Sequence, residues 1–222
     1  MPRIALIHAT RVAIEPVETA AQSIWPEAEF VSILEEALSL DKAGNRVPVE
    51  QLNRRIVELA RYAESHLEPD GILYTCSAFG EGIEEAARSS ELPVLKPNEA
   101  MFEAALDAGN SIAMIYTFAP SANGMEREFA ETAEHKGSKA TLNSIYAEGA
   151  MDALRNGDAD THNRLVAEVA DRAGNADAIL LAHFSTAQAA GAVREKTSIP
   201  VLSSPESAVQ KIKRSIENPE CG

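Results

Sequence analysis

Two cysteines in 222 residues, one of them next to last, are too few for a disulfide framework. Basic side chains are also scarce: 20 Lys and Arg stand against 34 Asp and Glu, a net charge of -14. Nucleic acid and anionic membranes are recognised by clustered Lys and Arg, so neither is an expected partner. The acid excess falls largely on helix faces, as in Glu81–Glu85, where it serves solubility. No apolar run approaches the roughly 20 residues needed to span a bilayer. The chain enters an apolar strand from Met1 with no basic leader, long hydrophobic stretch or cleavage site. A cytoplasmic, reduced protein is expected, with Cys76 as a free thiol.

Several chemical signatures are missing as well. Gly80-Glu81-Gly82 follows a strand but lacks the third glycine of a dinucleotide fingerprint. There is no GxxxxGK[ST] phosphate loop and no GxSxG nucleophile elbow. Cys76, His183 and His8 are the residues from which a zinc site would be drawn, but no close-spaced ligand pair supports one and no metal is expected.

What is present is an alternation of short aliphatic runs with longer helical patterns. Strands are predicted at 3–8, 29–34, 71–75, 93–96, 111–116, 140–145, 178–182 and 200–203. Several are apolar throughout, the pattern of parallel strands buried on both faces. Helices are predicted at 49–66, 82–89, 98–108, 124–136, 147–155, 161–174 and 187–195. A last helix is expected after Ser203 and Ser204 as candidate caps, with Pro205 in its first turn; it ends near Ile216, and 217–222 reads as a frayed tail. The order implies an α/β fold with parallel sheets and right-handed crossovers.

The two halves repeat. An offset of 107 carries Gly71–Ser77 onto Ala178–Phe184, so that Cys76 falls on His183. The same offset carries Pro93-Val94-Leu95 onto Pro200-Val201-Leu202, and an offset of 108 carries Ile4–His8 onto Ile112–Tyr116. Two pseudo-symmetric Rossmann-like lobes are expected, one formed by 1–97 with 204–222 and the other by 98–203. A pseudo-dyad would aim Cys76 and His183 at each other across the cleft between them. In open sheets of this kind ligands bind beyond the carboxyl ends of the strands, where Cys76, His183, His8 and Tyr116 all fall.

Cys76 lies in a strand-to-helix turn, where unpaired N–H groups and the positive dipole end favour a thiolate. The same N–H groups, with the hydroxyls of Thr75 and Ser77, suit a substrate carboxylate. The alternative is a small buried apolar residue, since free cysteine is among the most buried types. His183, followed by Ser185 and Thr186, suits a general acid or base, or a structural histidine at a strand end. His8 reads equally as substrate-binding or capping. Thr117 and Ser121 occupy a hydroxyl-rich loop after Tyr116, fit either to donate to a carboxylate or to form a turn and cap. Asn98 is read as a helix cap. His66, His135 and His162 are read as solvated. Arg11 and Lys96 are the basic residues nearest the expected cleft turns.

With the repeat and its two turns in view, the chain resembles the aspartate/glutamate/hydantoin racemase superfamily. The resemblance covers nearly the whole length and rests on the duplicated lobes and on the Thr75-Cys76-Ser77 and Leu181-Ala182-His183 turns. It implies catalysis without pyridoxal phosphate or another cofactor. It also implies one cysteine per lobe, one thiolate taking the α-proton while the other thiol returns it to the opposite face. This chain departs from that pattern, because His183 stands where the second-lobe cysteine is expected and Cys221 lies in the tail. Decarboxylases similar to the family keep one cysteine, but in the second lobe.

The expected function is therefore racemisation or epimerisation of a small carboxylate, with Cys76 and His183 as the two bases. The alternatives are a decarboxylase or lyase with one catalytic cysteine, an isomerase using Cys76 as nucleophile, and a binding protein that kept the cleft. Few basic residues in the turns favour a single carboxylate held by hydroxyls and N–H groups. A homodimer is the default for a small enzyme.

Overall fold

The computed structural model describes residues 1–218, so the tail beyond them, with Cys221, lies outside the described residues. The chain forms two compact units, Met1–Pro97 with the chain from Ala208 onward, and Asn98–Ser207.

The first unit holds strands β1 (Arg3–His8), β2 (Glu29–Leu34), β3 (Gly71–Tyr74) and β4 (Val94–Leu95). They form one parallel sheet in the order β2-β1-β3-β4. The central strands β1 and β3 are apolar and buried on both faces, while the edge strand β2 is only half-buried. Around the sheet run α1 (Ile14–Ile24), α2 (Ala37–Ala43), α3 (Val49–Leu67) and α4 (Gly80–Ser89). In α3, Leu52, Ile56, Val57, Ala60 and Ala63 recur at helical spacing and are buried, packing with Ile7, Ile72 and Tyr74.

The second unit follows the same plan. Helix α5 (Glu99–Ala108) leads to β5 (Ser111–Tyr116), α6 (Ala122–His135), β6 (Thr141–Tyr146), α7 (Ala150–Arg155), α8 (Ala159–Glu168), β7 (Ala178–Leu181), α9 (Ala190–Arg194) and β8 (Val201–Ser203). Its parallel sheet has the order β6-β5-β7-β8. Even the register repeats: Ile4 pairs with Gly71 and Ile7 with Tyr74, as Ile112 pairs with Ala178 and Ile115 with Leu181. Two four-stranded parallel sheets flanked by helices are the α/β architecture expected from the sequence.

Helix α10 (Ser204–Glu217) begins in the second unit and continues in the first. Its opening turn is held by Ser204 Oγ, which donates to Asn98 Oδ1 at 2.8 Å. Asn98 occupies the position before α5, but its side chain makes no capping bond to that helix. Further along, Ala208, Val209 and Ile212 are fully buried. A Cβ on Gly71 would stand 3.0 Å from Ile212 Cδ1, so a side chain there would crowd the α10 contact.

Two helices escape the sequence reading. In α1, Pro16 falls in the first turn, where its missing N–H is unneeded. Helix α2 has seven residues and buries only Leu38, too little for a visible periodicity. His162, read as solvated, is fully buried in α8, with Nδ1 2.9 Å from Asn163 Oδ1. Burial pushes its pKa below the ordinary histidine value, against a smaller opposing effect of Asn163. No helix among the described residues is long and apolar enough to cross a membrane.

Candidate active site

The candidate residues lie at the carboxyl ends of the two sheets, in two strand-end turns. In the first unit, β3 stops at Tyr74 because the chain turns at Thr75 and Cys76 into a 3-10 turn (Ser77–Phe79) and then α4. Cys76 has extended backbone, with φ -123° and ψ 116°. Its side chain is half-buried against a cluster that includes Tyr74 and Phe79. The gap beside it, lined by His8, Leu38, Ile56 and Phe79 among others, is too tight for water. Burial dominates the thiol and raises its pKa. The Ala78 N–H, the positive charge of Lys42 and the Ser39 hydroxyl each oppose that rise without cancelling it. The resting group is a thiol, not the thiolate expected from the helix N-terminus alone.

Lys42 and Ser39 were not legible as neighbours of Cys76. Both lie on α2, whose position is set by Arg55 of α3: its guanidinium binds the Asp41 carboxylate at 2.7 Å and also Glu35. Lys42 Nζ donates to the Ala78 carbonyl and lies 5.0 Å from the centre of the Phe79 ring. The basic residues singled out from the sequence are committed elsewhere. Arg11 pairs with Glu36 at 3.1 Å and Lys96 with Glu84 at 3.0 Å.

His8 ends β1 and is fully buried. Its Nδ1 is 2.9 Å from Thr75 Oγ1 and its Nε2 3.1 Å from Ser32 Oγ, so both ring nitrogens hold partners within the unit. Burial lowers its pKa to about 4. The neutral ring ties β1 to β2 and to the Thr75 turn. Ser77 is half-buried beside Cys76.

In the second unit, β7 ends at Leu181, and Ala182 and His183 lead into a 3-10 turn (Phe184–Ala189) before α9. His183 thus holds in its unit the place that Cys76 holds in the other: two residues past the third strand, at the start of a 3-10 turn. Its backbone is left-handed, with φ 74° and ψ 144°, an unusual conformation outside glycine. The ring reaches Ser121, with Nε2 2.7 Å from Oγ. Ser121 Oγ donates its only hydrogen to the Phe118 carbonyl at 2.8 Å. With that hydrogen on Phe118, the imidazole donates at Nε2 and carries its lone pair on Nδ1. That Nδ1 is buried and has no hydrogen-bond partner among the described residues. Burial lowers the His183 pKa to about 4, against a smaller opposing effect of the Ala182 backbone. At neutral pH His183 is a neutral ring with a desolvated basic nitrogen.

The other candidates in this unit support the turn. Thr117 and Thr186 are buried and lie 3.3 Å apart through their hydroxyls. Ser185 is buried, and its carbonyl accepts from Gln188 at 2.9 Å. Tyr116 stacks on Tyr146 with ring centres 5.3 Å apart. Beside this loop is a cleft of about 190 Å³ lined by Thr117, Phe118, Tyr146, Met151 and Arg155, among others. Arg155 lies over the Phe118 ring at 5.5 Å, a cation the sequence reading did not connect with this edge. Among the described residues, no group of three or more His, Cys, Asp or Glu side chains is placed to hold a metal ion.

Solved structures with the same fold include allantoin racemase from Klebsiella pneumoniae. It is 17% identical with a TM-score of 0.72, over 98% of this chain and 88% of that one. Aspartate racemase from Picrophilus torridus is 14% identical with a TM-score of 0.71, over 98% and 95% of the two chains. An arylmalonate decarboxylase variant with a glycine-to-cysteine substitution, in a sulfate-associated form, is 16% identical with a TM-score of 0.68, over 98% and 94%. Identities this low establish the shared fold. No curated protein sequence matches the chain. The family model of arylmalonate decarboxylase matches residues 14–221, nearly the whole sequence. The chain belongs to the arylmalonate decarboxylase family.

Proposed function

We propose that this protein is a cofactor-independent racemase or epimerase that moves the α-proton of a small carboxylate, with Cys76 and His183 as its two proton carriers. The observation that carries the reading is their equivalence: each stands two residues past the third strand of its sheet, at the start of a 3-10 turn. Their protonation states complement each other. His183 is neutral with a free lone pair on Nδ1, and Cys76 is a thiol. In one direction His183 Nδ1 takes the α-proton and the Cys76 S–H returns one to the opposite face. The reverse direction starts from thiolate and imidazolium.

An α-proton beside a carboxylate is a very weak acid, so the enolate-like charge needs donors fixed in advance. Arg155 and the cleft it lines offer a place for the carboxylate.

The family match favours one further reading, decarboxylation of a substituted malonate. There the bond from the α-carbon to one carboxylate breaks, carbon dioxide leaves, and its electron pair forms the enolate. The Cys76 thiol protonates that enolate from one face, and solvent water restores the thiol. One proton donor suffices, and Cys76 is the one cysteine among the described residues.

Proton NMR in D2O separates the two, with amino acids, hydroxy acids, hydantoins and substituted malonates as the panel. The racemase reading expects loss of the α-proton signal together with scrambling of a pure enantiomer, both abolished in Cys76→Ala and His183→Ala. Wild-type exchange in either variant refutes it. Carbon dioxide release from a malonate, dependent on Cys76 but not on His183, establishes the decarboxylase instead.

A further inference from the structure

We infer that Lys42 is a positioning residue for Cys76: it clamps the turn that carries the thiol and holds a positive charge there for the thiolate formed during turnover. This rests on the reading of Cys76 as a proton carrier, and it concerns a residue to which neither the sequence motifs nor the repeat points.

The geometry has three parts. Lys42 Nζ donates to the carbonyl of Ala78, two residues beyond Cys76, and lies 5.0 Å from the centre of the adjacent Phe79 ring. One ammonium group thus grips two successive residues of the 3-10 turn. Its stem is fixed from behind, because Arg55 holds Asp41, the preceding residue, at 2.7 Å. Asp41 is also 3.8 Å from Arg46, so this neighbouring carboxylate is shared by two arginines and is not left to neutralise Lys42. Ser39, one helical turn back on α2, and the Ala78 N–H of the turn itself both favour charge on the Cys76 sulfur.

The thiol is therefore embraced by α2 and its own turn, with one cation in the group. Burial resists charge on the sulfur, yet proton return requires that the sulfur pass through the thiolate. A fixed ammonium beside it lowers that barrier without the turn having to reorganise. An arginine keeps the charge and the donors; a methionine keeps the stem and part of the ring contact but removes both.

The test is the pH dependence of iodoacetamide alkylation at Cys76 in wild type, Lys42→Arg and Lys42→Met, each in a Cys221→Ser background. Circular dichroism confirms that the variants fold. Lys42→Met is expected to raise the alkylation midpoint and to slow labelling at pH 8 by about tenfold, roughly one pKa unit. Lys42→Arg restores most of the wild-type profile. An unchanged midpoint in Lys42→Met overturns the inference. So does an arginine variant as impaired as the methionine one, since the effect would then be steric. The readout requires no turnover, so it stands apart from failure of the racemase reading, which α-proton exchange tests.

Discussion

Ser121 Oγ lies 2.7 Å from His183 Nε2 and 2.8 Å from the Phe118 carbonyl, and with its hydrogen on that carbonyl the imidazole proton sits on Nε2 and the lone pair on Nδ1. One serine thus selects the tautomer of the candidate base. Ser121→Ala removes the acceptor and leaves a buried N–H without its partner. The expected loss is about 1 kcal/mol of stability. Turnover is expected to fall on the order of tenfold as the second tautomer becomes populated. Urea unfolding and α-proton exchange check the two parts, and Ser121→Thr is expected to preserve both.

The left-handed backbone of His183 is stored strain. A residue other than glycine at φ 74° sits in a sparsely populated region, at a cost on the order of 1–3 kcal/mol. His183→Ala keeps that strain and loses the ring, whereas His183→Gly loses the ring and relieves the strain. The glycine variant is expected to be the more stable by about 1 kcal/mol, with both inactive. Chemical denaturation of the pair measures the difference directly; an alanine variant as stable as the glycine one contradicts the strain.

Acid sensitivity follows from the buried imidazoles; the pKa of His162 is lowered, but His8 and His183 carry the large shifts. His8 and His183 each have pKa values of about 4 in the folded protein, below the ordinary 6.5. Between those values the unfolded chain binds more protons than the native one, so stability rises with pH across that window and is lost as pH falls from about 6.5 to 4. Each group contributes at most about 3 kcal/mol to that loss. Urea midpoints measured from pH 4 to 8 are expected to climb through this interval and then level. The climb is expected to be shallower in His8→Asn and His183→Asn.

Arg55 anchors α2, and with it Lys42 and Ser39, by binding Glu35 and Asp41. The Asp41 bond, with Glu35, raises its pKa against the opposing effect of burial and keeps the guanidinium firmly charged. Arg55→Met leaves two half-buried carboxylates without their cation. The expected destabilisation is about 1–3 kcal/mol, between that of an exposed pair and that of a buried one. Unfolding midpoints give the stability term, and Cys76 alkylation shows whether a loosened α2 alters the thiol.

Much of the fold was legible because its signals are local or repeated. Apolar runs marked all eight strands to within a residue or two, since parallel central strands bury both faces. The repeat offset placed Cys76 and His183 in matching turns, and the register of β1 with β3 and β5 with β7 shows the same match. The short helix α2 was not legible, nor was α1 with its early proline. His162 looked solvated among polar neighbours, yet one buried face of α8 holds it. The acidity of Cys76 was misjudged because the helix N-terminus is a sequence feature, whereas the desolvation that outweighs it comes from residues far along the chain.

The sequence by itself determined the α/β class, the duplicated sheets and the two strand-end turns, because hydrophobic period, turn residues and internal repetition are properties of neighbouring positions. Only the tertiary structure decided which side chains surround those turns and in what protonation state. Lys42 reaches Cys76 across 34 residues of chain, and Ser121 reaches His183 across 62. Desolvation and hydrogen bonding depend on distance in space, and nothing in local sequence encodes which distant segments will close around a given atom.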